Sequence, residues 1–213
     1  MTLSLPTNNL LVCCPVNYKL LLATNNQAKI REYRSLLQNL PLELVTLAEQ
    51  GIATVVDEVG ESLEENARLK ATLLATESQL IALADDSGLE VDALGGEPGP
   101  LSARYAGEGA SDKQRVDYLL SRLKDIPWEK RTARFRCVIA IARPQGEVIL
   151  CNGECRGFIA FEPRGEKGFG YDPIFYLPDS DKTVAELPLE IKNRISHRGQ
   201  AARKAVEVLK TLR

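Results

Sequence analysis

Long hydrophobic runs, histidine and a basic excess are what this chain lacks. No apolar stretch approaches the roughly 20 residues that cross a bilayer, and residues 1–18 contain no Lys or Arg, unlike the start of a secretory signal peptide. No membrane partner is expected. Lys and Arg number 27 against 29 Asp and Glu, for a net charge of -2, which excludes a protein whose main task is coating nucleic acid. One histidine cannot supply a Cys/His zinc cluster by itself. The five cysteines (Cys13, Cys14, Cys137, Cys151 and Cys155) are odd in number and form no CxxC pair, so they read as reduced, mostly buried thiols of a cytoplasmic protein.

What is present is ordinary globular composition, 44% hydrophobic and 26% charged over 213 residues, without repeats or a low-complexity linker. Residues 1–18 read as an extension of unknown role and 19–213 as one folding unit. Lys19 to Ala23 has the pattern of a buried strand. Thr24, Asn25, Asn26, Gln27, Ala28 and Lys29 then lead into Ile30, Tyr33, Leu36 and Leu37 at helical spacing. An asparagine cap there leaves free N–H groups and a positive dipole end beside Lys29, which suits phosphate but equally describes an ordinary capped helix. The glycines of a Walker A loop are absent.

Leu42 to Leu47 is a second expected strand. Ser62 with Glu65 fits a capping box opening a helix whose stripe is Leu63, Ala67, Ala71 and Leu74. The apolar run Leu80 to Ala84 is a third strand, expected to end in a loop made of Asp85, Asp86, Ser87 and Gly88. Adjacent carboxylates repel unless a cation or proton intervenes, so a magnesium or general-base site competes with a solvated turn. A helix from Ser111 or Asp112 buries Val116, Leu119, Leu120 and Leu123. Thr132 to Arg143 and Glu147 to Cys151 form a hairpin, with a further strand from Arg156 to Phe161. Strand–helix units followed by hairpin strands imply an α/β fold with a mixed sheet.

Gly165, Gly168 and Gly170 surround Phe169, and Tyr171 and Asp172 follow; this is either a clamp for a flat base or a hydrophobic corner. Ser196 caps the last helix and places His197 and Arg198 in its first turn, where the dipole disfavours positive charge. Such a histidine stays neutral, and such an arginine is comfortable only near an anion or acceptor-rich ligand.

In combination, Thr24-x-Asn26-x-x-Lys29, Glu65-Asn66-Ala67-x-x-Lys70-Ala71, Asp85-Asp86-Ser87-Gly88-Leu89, Ser102-Ala103-Arg104-Tyr105, Phe169-Gly170-Tyr171-Asp172-Pro173 and Ser196-His197-Arg198 resemble the inosine triphosphate pyrophosphatase family. The resemblance runs in order from about Lys19 to the last helix. Asn25 stands where family members often have glycine. The resemblance implies an elongated two-lobed α/β fold, its mixed β-sheet flanked by helices with a cleft between lobes, and a homodimer. It implies hydrolysis of ITP, dITP and XTP to the monophosphate and pyrophosphate with Mg2+, cleansing the nucleotide pool. By motif, Asp86 would be the catalytic acid–base and a metal ligand, with Glu58 or Glu65 as a further carboxylate. Thr24 to Lys29, Ser87 and Lys192 would hold the triphosphate, and Phe169, Gly170, Tyr171 and Asp172 with His197 and Arg198 would grip the base. Two alternatives are a catalytically silent nucleotide-binding module and a pyrophosphatase for another modified nucleotide. Binding without pyrophosphate release marks the first, and a substrate panel marks the second.

Overall fold

The structure, a computed structural model, describes residues 18–57 and 60–212. Glu58 and the extension up to residue 17, including Cys13 and Cys14, lie outside the described residues. In chain order the elements are β1 (Tyr18–Leu22), α1 (Gln27–Leu37), β2 (Leu42–Thr46), α2 (Leu63–Ser78), β3 (Ile81–Val91), β4 (Pro98–Gly99), α3 (Asp112–Arg122), β5 (Thr132–Ala142), β6 (Val148–Ile159), β7 (Phe175–Leu177), β8 (Lys182–Thr183), α4 (Leu189–Ile195) and α5 (His197–Thr211). Short 3-10 turns link several of them.

The strands form one eight-stranded sheet in the order β2-β1-β3-β5-β6-β7-β8, with β4 on β3. β2, β1 and β3 run parallel, joined through α1 and α2, and from β3 onward the pairing is antiparallel. Crossover helices are what parallel neighbours require and hairpins what antiparallel ones permit, so the switch from helical to hairpin connections produces the mixed sheet.

Three apolar clusters divide the molecule. On one face of the sheet, Leu83, Cys137, Ile139 and Ile141 pack against Ile30, Tyr33 and Leu37 of α1 and Ala201, Ala205 and Leu209 of α5. On the opposite face, Ala82, Ala84, Val138 and Ala140 pack against Leu63, Ala67, Ala71 and Leu74 of α2. The third cluster joins Leu89, Val91 and Phe135 to Val116, Leu119 and Leu123 of α3 and to Ile174 and Phe175 beside β7.

The structure corrects three expectations. Asp85 to Gly88 is not a loop, because β3 runs through it with Asp85 opposite Ile139, Asp86 opposite Val138, Ser87 opposite Cys137 and Gly88 opposite Arg136. The ladder satisfies the backbone, and cations from three helices satisfy the side chains. The strands expected at 147–151 and 156–161 are one, β6, paired with β5 from Val148 to Phe158. Its Gly153 is where α5 presses closest, since a Cβ there would lie 2.1 Å from the His197 carbonyl oxygen. The capping box at α2 is also incomplete. Ser62 accepts the Glu65 N–H, but the Glu65 carboxylate accepts the N–H of Glu61.

Candidate active site

A strand alternates its side chains, so the neighbours Asp85 and Asp86 face opposite sides of the sheet. Asp86 points towards α2. Its Oδ1 receives Lys70 Nζ at 3.0 Å and its Oδ2 receives Asn66 Nδ2 at 3.2 Å. Lys70 also donates to the Asp85 carbonyl oxygen at 2.9 Å. Asn66 and Lys70 are one turn apart on α2 and both are buried. Asp85 points towards α1 and α5. Its Oδ1 lies 2.9 Å from Lys29 Nζ, and its Oδ2 receives Arg198 Nε at 3.0 Å. Burial alone would raise the Asp85 pKa, but the charges of Lys29, Arg198 and Lys70 outweigh it and hold the carboxyl well below the ordinary aspartate value.

Lys29 is in the first turn of α1, where the Asn26 side chain caps the helix by accepting from the N–H groups of Ala28 and Lys29. Thr24 Oγ1 accepts the Asn26 N–H at 3.2 Å, which fixes the approach to the helix. This end of the cleft therefore presents a positive helix terminus, Lys29 held by Asp85, and the Asp86 carboxylate with Lys70.

The other end is built by α4, α5 and the loop before β7. Arg198 is fully buried; its NH1 donates to Glu32 Oε2 at 2.8 Å and its NH2 to Ser87 Oγ at 2.9 Å. Three of its five N–H donors are thus committed to protein acceptors. Lys192 Nζ lies 2.8 Å from Glu32 Oε1 and also bonds Asp172 Oδ2. Burial raises the Glu32 pKa, but Arg198 and Lys192 more than offset it and the group ends below the ordinary glutamate value. For Asp172 burial prevails over Lys192, and the pKa is raised.

The Phe169 ring covers both cations, with its centroid 4.8 Å from Lys192 Nζ and 5.4 Å from the Arg198 guanidinium. Its loop is fastened by Asp172, which accepts the Phe169 N–H, and by Asp112, which accepts the Gly170 N–H. At Gly168 (φ +77°) a Cβ would fall 2.0 Å from Asp172 Oδ2, so the close turn around that carboxylate needs glycine. His197 stacks on Phe135 at 4.7 Å between centroids, and its Nδ1 has no partner among the described residues. Burial, with Arg198 and Lys192 nearby, depresses its pKa well below the usual value, so the ring is neutral.

These side chains line one cavity of about 540 Å³. Thr24 to Lys29, Asp86, Ser87, Phe169 to Asp172, Lys192, His197 and Arg198 all line it, whereas Asp85 lies beneath it and Glu58 is not described. Within it, Lys192 stands between Glu32 and Asp172 beside Phe169, and the Ser87 hydroxyl accepts from Arg198. Tyr171 is mostly buried at the cavity wall, its hydroxyl donating to the Ser102 carbonyl.

Sequence reasoning assigned no role to Lys70, Asn66 or Glu32. The signal for the first two was their i, i+4 spacing off the apolar stripe of α2. Asp86 is a hard oxygen ligand opening on the cleft, which fits magnesium, an ion held by one or two carboxylates together with substrate phosphates. Among the described residues no cluster of three Asp, Glu, His or Cys side chains could hold a metal unaided. Nor is any described helix long and apolar enough to cross a membrane.

A sequence model of the Ham1 family matches residues 20–208. The dITP/XTP pyrophosphatase of Desulforamulus reducens is 50% identical over 194 residues, covering 91% of this chain and 96% of its own. That of Bacillus subtilis is 47% identical over 189 residues, covering 89% and 96%. The structure of a HAM1 protein from Coxiella burnetii superposes with a TM-score of 0.83 at 42% identity, covering 91% of this chain and 98% of that one.

Proposed function

The chain belongs to the Ham1 family, and we propose that it hydrolyses ITP, dITP and XTP to the nucleoside monophosphate and pyrophosphate. The observation that carries this reading is the polarity of the cleft. One end gathers a helix N-terminus, Lys29, Lys70 and a carboxylate, and the other gathers an aromatic ring over buried donors. A triphosphate fits the first end and a purine the second.

Water attacks the α-phosphorus, the bond from that phosphorus to the oxygen bridging to the β-phosphorus breaks, and pyrophosphate leaves. Asp86 accepts the proton of the attacking water, and Lys70 and Asn66 fix the orientation of its carboxylate. Lys29 and the positive end of the α1 dipole attract phosphate oxygens and offset the charge that develops on them. Magnesium, held through Asp86, with Glu58 or Glu65 implied as a second ligand by the family resemblance, would neutralise phosphate charge when bound.

At the other end, Phe169 offers its face to the base. The remaining N–H groups of Arg198, with the neutral His197 ring beside them, meet an acceptor oxygen at purine position 6, where adenine carries a donor amino group. A buried donor facing a donor costs enough to reject adenine.

Three buried cysteines, Cys137, Cys151 and Cys155, are free thiols, which fits the cytoplasm. The homodimer rests on the family resemblance, and sedimentation at micromolar concentration should read twice 23.5 kDa. The test of function is pyrophosphate release from ITP, XTP, GTP and ATP with magnesium, by the intact chain and Asp86→Asn. Fast release from ITP and XTP that collapses by about 10²-fold or more in the variant supports the reading. No release from any nucleotide overturns it, and activity surviving in Asp86→Asn moves the base to another group.

A further inference from the structure

Among the described residues, Asp85 is the carboxylate that touches cations from both ends of the cleft. Lys29 comes to it from the first turn of α1 and Arg198 from the first turn of α5, and its side chain is 0% exposed. The two contacts differ in kind. Arg198 Nε makes an aligned hydrogen bond to Oδ2 at 3.0 Å, and the same guanidinium is anchored again on Glu32 and Ser87. Lys29 Nζ pairs with Oδ1 at 2.9 Å and has no second anchor of that kind among the described residues. Arg198 is locked by three acceptors, whereas Lys29 meets Asp85 by a single ammonium on a flexible stem, with its side chain still 14% exposed.

We propose that Asp85 is a positioning residue that parks Lys29 in the empty cleft, yields it to the phosphates of a bound substrate, and reclaims it as pyrophosphate leaves. The inference rests on reading this end of the cleft as a phosphate site. A parked lysine is neutralised without being tied down, so a phosphate must compete with Asp85 for it. That competition lowers affinity for phosphate groups and hastens release of the product. A carboxylate serving only to hold the fold together has the opposite signature, because its loss loosens the site and weakens every ligand.

The test is the affinity of inorganic pyrophosphate, measured by calorimetry on the wild type, Asp85→Asn, Lys29→Met and the double variant, with melting curves for each. Asp85→Asn is expected to bind pyrophosphate roughly fivefold tighter, because the carboxylate that competes for the Lys29 ammonium is gone. In the Lys29→Met background the same change is expected to leave affinity within about twofold. Equal or weaker binding by Asp85→Asn overturns the proposal. So does a gain that persists without Lys29, which would be a general effect of removing a negative charge.

If Asp85→Asn does not melt cooperatively, Asp85→Ser, which keeps an acceptor for Arg198, replaces it. A structure of the wild-type pyrophosphate complex reads the same point without any variant. Lys29 Nζ is expected on a phosphate oxygen, and Lys29 still within hydrogen-bond distance of Asp85 only would refute the parking role. ITP hydrolysis that proceeds while Lys29→Met binds pyrophosphate as well as its parent overturns this inference alone. Absence of ITP hydrolysis overturns the functional reading instead.

Discussion

Replacing Arg198 by methionine removes the charge that α5 brings beneath the cleft and leaves the apolar stem. In the native protein the guanidinium is 1% exposed and joins α5 to Glu32 of α1 and to Asp85 and Ser87 of β3. Removing one partner of a buried pair costs about 3–5 kcal/mol, because the remaining charge stays buried. Here each carboxylate keeps a lysine, Asp85 through Lys29 at 2.9 Å and Glu32 through Lys192 at 2.8 Å, so the lower end of that range, about 3 kcal/mol, is expected. For a domain of this size that lowers Tm by roughly 6–12 °C.

The pH dependence separates this cause from a packing defect. Both carboxyls have pKa values held below their unfolded values, so their stabilisation is present above about pH 4 and is lost as pH falls through the depressed folded values. In Arg198→Met the depression is smaller and less is lost, so the Tm gap between wild type and variant narrows from pH 7 towards pH 3. Differential scanning calorimetry across that range is the assay. A gap that stays constant or widens on acidification, or a gap below about 2 °C at pH 7, refutes the reasoning.

Three further substitutions probe other parts of the frame. The Tyr33 hydroxyl is buried without a partner among the described residues, so Tyr33→Phe sheds an uncompensated polar group, and chemical denaturation should show stability unchanged or raised by up to about 1 kcal/mol. At Gly199 a Cβ would sit 1.8 Å from the Asn193 carbonyl oxygen, backbone against backbone, so Gly199→Ala is expected to cost about 3 kcal/mol, whereas Gly95→Ala (φ +65°, nothing within 4 Å) should cost only about 1 kcal/mol; thermal melts compare the two. Phe169→Ala removes the ring above Lys192 and Arg198, and steady-state kinetics with ITP should show KM raised about tenfold with kcat within about twofold, the pattern of lost binding to ground state and transition state alike.

The helix starts were legible in the sequence because capping is local. Asn26, Ser62, Ser111 and Ser196 each cap the helix expected of them, with a side-chain oxygen accepting an N–H from the first turn. β3 was legible only as far as Ala84. Polar residues and a glycine normally end a strand, and what keeps Asp85, Asp86 and Ser87 within one is contact with Lys29, Lys70 and Arg198, the last more than 100 residues away in the chain. Gly88 reads as a breaker but serves close approach, since a Cβ there would meet the Gly99 carbonyl at 2.3 Å. Glu32 was invisible for the same reason as Lys70. A charged residue on an amphipathic helix reads as solvated until its partners from other elements are known.

The alternation of β3 decides how this cleft is organised. In a loop, Asp85 and Asp86 could turn towards one cation and share it, and the expectation of a common site for both rested on that geometry. In a strand they cannot, because successive side chains leave opposite faces of the sheet. Asp86 therefore meets α2, whose Lys70 and Asn66 orient it in the cavity, and Asp85 meets α1 and α5, whose Lys29 and Arg198 it draws together from beneath. Because both carboxylates hang on one backbone paired continuously with β5, a shift of α1 or α5 that moved Asp85 would carry Asp86 with it. The rigid ladder thus ties the residue placed nearest the chemistry to the residue that sets the charges around it, which is the precision that a site on strands and helix starts has over one built from loops.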